Sequence, residues 1–331
     1  MNAGTVRVGV VGLGEWGPNL ARNFDELPGA ELAVVCDRSE ERLEHFAGRF
    51  RSARRTRDFD DLLADDSLDA VVLATPVPTH ADLARRALLA GKHAFVEKPL
   101  ALSAAEAEAV AALAQERDLV LMPGHLLLYH PAVRMLVEIV RSGELGRLLV
   151  VYGNRQNLGK IRRDENVLWS LGAHDLSVIL SLLGEEPHEL WARGESFLTP
   201  GVEDVVFCYL RFPSGVVAHM HLSWLDPHKM RRLTVVGDKK MAVFDDMETD
   251  RKVTVYDKGP QEPAESYGEW LTRTGDIWSP KIGNEEPLRV ECAHFLALVR
   301  SEADPAPARE NGLAVVRALE QLQRSLELER V

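Results

Sequence analysis

The chain has 331 residues, with 39 Lys plus Arg against 51 Asp plus Glu, for a formal net charge of −12. That acidity excludes non-specific nucleic-acid binding, which draws on basic surface, while leaving room for a locally basic pocket that takes a phosphorylated small molecule. Apolar residues at 46% and charged ones at 27% are ordinary for a globular protein, and the length suffices for two domains.

Residues 6–11, VRVGVV, are an apolar run that predicts a strand. Gly12, Gly14 and Gly17 follow in the spacing G-x-G-x-x-G, with Glu15 and Trp16 inside it, and Asn19, Leu20 and Ala21 open a helical pattern. Strand, glycine turn and helix in that order are the context in which this spacing binds a dinucleotide. Gly12 permits the tight turn, Gly14 lets a pyrophosphate approach the backbone, and Gly17 lets helix and strand pack closely. The helix N-terminus offers free N–H groups to the phosphates. The run 31–36, ELAVVC, predicts a second strand ending at Asp37. That acid lies about twenty residues beyond the last motif glycine, where a carboxylate takes the ribose hydroxyls. Arg38 and Ser39 stand beside it.

Ser39 caps a charged helix over 39–50, and 58–63 reads as a short helical turn. Residues 69–74, DAVVLA, fit a buried parallel strand. It ends in Thr75-Pro76-Val77-Pro78-Thr79-His80, a loop stiffened by two prolines at the carboxyl end of a strand, where open α/β sheets bind ligands. Thr75, Pro76, Thr79 and His80 are therefore candidate cofactor contacts. A helix over 81–90 stops at Gly91. A strand over 93–96 ends in Glu97-Lys98-Pro99. Ser103 caps an alanine-rich helix to 117, with Glu106 at the capping-box position, and 119–122 is one more strand. The alternation predicts a doubly wound parallel sheet, a nucleotide-binding domain over 1–124.

From His125 the pattern changes. A helix begins at His130-Pro131 and runs to 141, broken by Gly143 and Gly146. Residues 148–153 are strand-like, 155–166 polar and irregular, and 169–183 a strongly apolar helix. Strands of antiparallel style follow over 205–212, 216–224, 233–236 and 241–244, with turns at Pro213-Ser214-Gly215 and Gly237-Asp238. Residues 256–286 read as loop, and 287–300 and 311–326 as closing helices. The second domain, 125–331, is expected to be α+β with a mostly antiparallel sheet.

No uninterrupted apolar run reaches membrane-spanning length. No charged-then-apolar leader precedes the first strand. Cys36, Cys208 and Cys292 are far apart, with neither metal spacing nor a disulfide framework. The expectation is a cytoplasmic protein without a metal centre.

Lys98 sits where a strand meets the nucleotide crevice. A lysine desolvated there has its pKa lowered and can take part in proton traffic. His174 follows Ser170 by four residues, which puts both on one helix face, while the adjacent Asp175 points elsewhere. Arg155, Asn157, Arg162, Arg163 and Asn166 make a basic, amide-rich segment suited to the oxygens of a sugar phosphate or carboxylate. His219 and His221 alternate on one strand. Without a third ligand of matching spacing they fit a sheet face or subunit interface better than a metal site. Lys229, Arg231 and Arg232 read as surface charges.

The Glu97-Lys98-Pro99 strand end and the His174-Asp175 pair in an apolar helix, together with the three glycines and Asp37, resemble one known family. It is the glucose–fructose oxidoreductase, inositol dehydrogenase and rhizopine-catabolism (Gfo/Idh/MocA) oxidoreductase family, and the resemblance covers nearly the whole chain. It implies an N-terminal Rossmann domain and an open-faced C-terminal sheet. It implies NAD as cofactor, with NADP the alternative, held by the glycine turn, Asp37, Arg38, the loop of Thr75 to His80, Glu97 and Lys98. It also implies that Lys98 contacts the reacting hydroxyl and that His174 is the general acid/base. Many members carry an aspartate one turn before this histidine. Here the residue is Ser170, which cannot hold a charge and leaves Lys98 and His174 as the catalytic core. The run 154–170, NRQNLGKIRRDENVLWS, resembles a branch acting on C3 of nucleotide-linked sugars, such as a UDP-N-acetylhexosamine or its uronate. It implies Arg155, Asn157, Arg162, Trp169 and Ser170 as substrate contacts. The alternatives are a 3-ketoreductase of a deoxysugar nucleotide, a polyol or inositol dehydrogenase and, outside enzymes, a cofactor-binding regulator. Apolar and aromatic residues alternating along the second sheet, such as Phe207, Tyr209, Met220 and Trp224, call for cover on both faces. A homo-tetramer or homo-dimer through that sheet is expected.

Overall fold

The structure is a computed structural model and describes residues 4–261 and 270–328. It divides into two compact units, Met1–Tyr129 with Glu285–Arg317 and His130–Asn284 with Ala318–Val331.

The first unit alternates strand and helix: β1 (Val6–Val11), α1 (Gly17–Glu26), β2 (Ala30–Cys36), α2 (Glu40–Ala47), β3 (Arg54–Thr56), α3 (Asp60–Leu63), β4 (Ala70–Leu73), α4 (His80–Leu89), β5 (His93–Glu97), α5 (Ala104–Glu116) and β6 (Leu121–Gly124). The strands pair in parallel in the order β3-β2-β1-β4-β5-β6. The order reverses between β1 and β4, so Gly12 and Thr75 flank the switch point at which such sheets bind ligands. Both faces of the sheet are covered. Val8 and Val10, all of β4, and Ala94 to Val96 have no exposed surface, the reason these strands read as continuous apolar runs. The two serine caps form as their sequences require: Ser39 Oγ accepts from Arg42 N at 3.3 Å and Ser103 Oγ from Glu106 N at 3.2 Å. The α2 helix ends at Ala47, short of the expected residue 50. The strand β3 was not expected, because Arg-Arg-Thr carries no apolar signal. It lies at the sheet edge, where charge guards against further pairing. Arg54 pairs with Asp65 at 3.0 Å and Arg55 with Glu44 at 2.9 Å.

The second unit contains α6 (Pro131–Arg141), β7 (Leu148–Gln156), α7 (Ala173–Leu183), β8 (Glu189–Glu195), β9 (Val205–Arg211), β10 (Val217–Ser223), β11 (Met230–Gly237), β12 (Met241–Asp245), β13 (Val253–Gln261) and β14 (Leu271–Trp278). They form an eight-stranded sheet in the order β14-β13-β12-β11-β7-β10-β9-β8, antiparallel except where β10 lies parallel to β7. Three differences from expectation stand out. The strand β7 extends through Arg155 and Gln156 rather than ending at 153. The stretch expected as loop holds β13 and β14, with 262–269 outside the described residues. The strand β8 was also missed. Each of these has polar or charged residues at alternate positions, because one face of the sheet is not filled by the unit's own core. Helices α6 and α7 pack on the other face. Met220 and Trp224 lie in that buried face, each 1% exposed, while Phe207 points outward at 50%. Only the second set needs outside cover.

Two helices close the chain, α8 (Pro287–Val299) and α9 (Ala306–Leu328). The expected division at 124/125 assigned both to the second domain. Instead α8 belongs to the first unit, together with α9 as far as Arg317. Leu288, Cys292, Phe295 and Leu296 enter the same core as Phe24 and Phe95. The Phe295 ring meets those of Phe24 and Phe95 edge-on, at 6.1 and 5.7 Å between centroids. All three cysteines are free and buried. Phe295→Ala should therefore destabilise the first unit by about 3–5 kcal/mol, the usual cost of emptying a buried phenylalanine site. Denaturant unfolding checks this, and a loss below 1 kcal/mol would show that α8 is not part of that core.

Candidate active site

The glycine turn is built as its spacing requires. Gly12 has φ +92°, and a Cβ there would stand 2.6 Å from Ala74 O. A Cβ on Gly17 would stand 1.7 Å from Gly12 O, whereas one on Gly14 would meet nothing within 4 Å. Gly12 and Gly17 are thus required by the protein's own packing, and Gly14 leaves its space for something else. Trp16 N-caps α1 without a side-chain hydrogen bond, and no acid occupies the first turn. These donors suit a pyrophosphate, and the residues present fit a dinucleotide. Glu15 is exposed in the turn and Trp16 is exposed beside it. The Asp37 carboxylate accepts from Leu13 N at 2.7 Å and Ser39 N at 2.8 Å, with Arg42 Nη1 3.5 Å away. It braces the turn against the start of α2. With Arg38, Ser39, Glu41, Arg42 and His45 it lines a cleft of about 610 Å³.

At the ends of β4 and β5, Thr79 Oγ1 donates to Pro76 O at 2.7 Å and lies 2.8 Å from Thr75 Oγ1, closing the proline loop into a tight turn. His80 is buried, with both ring nitrogens on main-chain carbonyls. Its side chain is therefore not available to a cofactor, contrary to expectation. The Lys98–Pro99 bond is cis. Lys98 is half-buried, and its main-chain N–H donates to Glu97 Oε2 at 3.2 Å. Burial pushes the Glu97 carboxyl up to about 7, against the pull of Lys98. His125 Nδ1 lies 2.8 Å from Asn311 Oδ1, and burial together with the Lys98 charge pushes its imidazole down to about 4. Glu291 on α8 is raised well above the usual carboxylate range by burial and by Glu97. Among the described residues, His125 Nε2 and Glu291 Oε1 are buried without a hydrogen-bond partner. Sequence reasoning missed His125, Asn311 and Glu291. The available signal was an acid set into the apolar stripe of α8.

In the second unit Arg155 is a buried strand residue rather than part of a polar loop. Its Nε and Nη2 donate to Asp175 Oδ1 at 3.0 and 2.7 Å. That pair accounts for both residues: Arg155 faces α7, and Asp175 points toward β7. The turn before α7, Leu168–Gly172, is π-helical, a local widening common at functional sites. His174 is half-buried at the second position of α7. Trp169 Nε1 donates to Gln323 Oε1 at 3.2 Å, and Asn166 Nδ2 donates to Gln323 Oε1 at 2.9 Å and to Glu203 Oε2 at 2.7 Å. This network, whose Gln323 and Glu203 no local pattern announced, fixes the π turn. Ser170 and Asn157 are half-buried, and Arg162 pairs with Glu165 at 2.8 Å. Arg231 and Arg232 pair with Asp246 and Asp245. The outward face of the sheet carries stacked rings, Tyr152 on His219 at 5.0 Å and Phe207 on His221 at 4.3 Å.

Two family models match the chain: the oxidoreductase family with an NAD-binding Rossmann fold over residues 6–125, and the GFO/IDH/MocA C-terminal domain over 133–243. UDP-N-acetylglucosamine 3-dehydrogenase of Acidithiobacillus ferrooxidans is 33% identical over 241 residues, 72% of this chain and 74% of that protein. Its solved structure matches 97% of this chain and 98% of its own with a TM-score of 0.83 at 28% identity. Inositol 2-dehydrogenase of Rhizobium meliloti is 28% identical over 97% of both chains. The structure of GenD2 from gentamicin A biosynthesis in complex with NAD is 26% identical over 98% of this chain and 95% of its own, with a TM-score of 0.82. The chain belongs to the Gfo/Idh/MocA oxidoreductase family, and its first domain is an NAD-binding Rossmann fold.

The buried histidine yields a pH signature. A histidine whose folded pKa is depressed contributes stability that is present above its free value and lost as pH falls through the folded one. For His125 that window runs from 6.5 down to about 4, worth about 3 kcal/mol at full burial. Glu97 acts with the opposite sign, since its contribution is present below 4.5 and lost as pH rises toward about 7. The wild-type curve therefore mixes the two, and the comparison must be with His125→Asn. The melting temperature of that variant should fall less steeply between pH 6.5 and 4 than that of the wild type, and parallel curves would remove His125 as a titrating group.

Proposed function

We propose that this oxidoreductase transfers hydride between a nicotinamide cofactor and a secondary hydroxyl or ketone of a sugar, at C3 of a nucleotide-linked hexose such as a UDP-N-acetylhexosamine or its uronate. The observation that carries the reading is the likeness to the Acidithiobacillus UDP-N-acetylglucosamine 3-dehydrogenase. The glycine turn and the first turn of α1 hold the phosphates, and Asp37 takes the ribose hydroxyls. The dinucleotide, when bound, supplies the two-electron acceptor. His174 takes the proton from the substrate hydroxyl, acting at its imidazole. Lys98 donates a hydrogen bond to the same oxygen, placing it and stabilising the charge that develops there. Asn157 and Arg162 are assigned to the polar groups of the substrate. Arg155 sets the helix that carries His174.

The inositol dehydrogenase likeness along nearly the whole chain favours a second reading, a free polyol as substrate. A panel of UDP-sugars, a deoxysugar nucleotide and free inositols, followed at the absorbance of the reduced nicotinamide, decides between them. Turnover of a nucleotide sugar alone supports the first reading, and turnover of inositols alone replaces it.

With the sugar that turns over, Lys98→Ala and His174→Ala should each lose ~10²–10⁴-fold in rate while keeping cofactor affinity. A near wild-type rate in either would remove that residue from the mechanism.

NAD should bind more tightly than NADP. At ~4 Å and an effective dielectric of ~20, a 2′-phosphate charge against Asp37 costs about 4 kcal/mol, and a third of that is roughly tenfold in affinity. Arg38 and Arg42 oppose the effect from the same cleft, but Asp37 is the buried, doubly bonded member. Titration of both oxidised cofactors into apo protein should show the preference, and Asp37→Asn should narrow it. Equal affinities in the wild type would give the pocket to the arginines.

The protein should also assemble through the outward face of its eight-stranded sheet as a dimer or tetramer. Trp191, Phe207 and the stacked Tyr152–His219 pair lie on that face. A monomer by light scattering at micromolar concentration would contradict this.

A further inference from the structure

His80 is 1% exposed, yet both its ring nitrogens have work. Nδ1 lies 2.8 Å from the Pro99 carbonyl oxygen and Nε2 lies 2.8 Å from the Thr75 carbonyl oxygen. Thr75 lies two residues past the end of β4, and Pro99 two residues past the end of β5. One rigid ring therefore spans the ends of two neighbouring strands, joining the proline loop to the segment that carries Lys98. We propose that His80 is a positioning residue: its Nδ1–H, bonded to the Pro99 carbonyl, holds the Lys98 segment in place. This rests on the reading of Lys98 as the residue that contacts the reacting hydroxyl.

The chemistry explains why the position takes a histidine. Carbonyl oxygens only accept, so each contact is a hydrogen bond only when the nitrogen facing it carries a proton. No other side chain presents two N–H groups on opposite edges of a ring small enough to be buried here. A neutral ring has one proton for two carbonyls. Burial and the Lys98 charge oppose a second one, while the two carbonyls favour it, and the position of His80 at the start of α4 adds to the opposition. With the proton on Nδ1 the ring donates to Pro99 and fixes the Lys98 segment, while Nε2, then bare, faces the Thr75 carbonyl without a hydrogen bond.

Two measurements test this. In protein labelled with ¹⁵N-histidine, the His80 signals should show Nδ1 protonated at the assay pH, both in the apo state and with NAD⁺ added. A bare, pyridine-type Nδ1 would overturn the proposal. The second measurement uses isosteres. His80→Asn keeps an N–H near the Nδ1 position, and His80→Gln keeps one near Nε2. His80→Asn should retain kcat. His80→Gln should lose ~10–100-fold in kcat, the scale on which small misplacement of a reacting group acts. A loss of kcat in His80→Asn or its retention in His80→Gln overturns the proposal, as do equal losses in both variants with a lowered melting temperature. If neither variant folds, the nitrogen protonation decides alone. Lys98→Met separates this idea from the reading beneath it. Retained turnover there removes the role of Lys98, whereas an inactive Lys98→Met beside a fully active His80→Gln removes only the role of His80.

Discussion

A Cβ on Gly17 would stand 1.7 Å from the carbonyl oxygen of Gly12. No side chain survives that distance, and the missing methyl sets how closely α1 follows β1. The close approach aims the first turn of α1 at the switch point between β1 and β4, and that turn is left uncapped by side chains. Asp37 then fastens the arrangement from the next strand, one oxygen on Leu13 N and the other on Ser39 N. A carboxylate usually described by what it does for a ribose is here first a structural brace. Its remaining acceptor capacity, beyond these two bonds and the longer contact from Arg42 Nη1, is what a ligand can use. The cofactor end of the molecule is therefore preorganised by backbone sterics and two charge-assisted hydrogen bonds.

The start of α7 is held by buried polar groups. In the second unit Arg155 and Asp175 are both nearly inaccessible and share one oxygen, while Asp175 Oδ2 is buried without a hydrogen-bond partner. Such a pair gains little over an apolar pair of the same volume, and it is costly to break from one side. Its value is directional, since it fixes the start of α7 relative to β7. The Asn166–Gln323–Trp169 network does the same for the π turn one step earlier. Together they brace the chain on both sides of His174.

The doubly wound unit was legible because its strands are buried on both faces. Runs such as 70–73 need no alternation to be recognised, and Ser39 and Ser103 announce their helices by side-chain chemistry that acts within one turn. The second unit was less legible for the same physical reason inverted. The strands β8, β13 and β14 present one face outward, so their charged and polar residues imitate loop. Arg155 could not be placed from its neighbours, since what buries it is an acid twenty residues away. The π turn was hidden because a single extra residue leaves no mark on an apolar pattern. His80 was found for its position and misread for its role. A loop at a strand end does attract ligands, but this ring turns inward to the backbone. The α8 helix shows the limit of linear boundaries, since its apolar stripe fits a sheet formed by residues nearly two hundred positions earlier.

The three cysteines bear on how the protein ages. Burial pushes the Cys36 thiol up to about 12, with Asp37 adding to it, and raises Cys208 and Cys292 as well. Oxidants and alkylating reagents attack the thiolate, and at neutral pH this fold presents none. The sulfurs serve as small apolar side chains in its cores. The exposed Met247 is a more accessible target for oxidants than any of the three buried sulfhydryls.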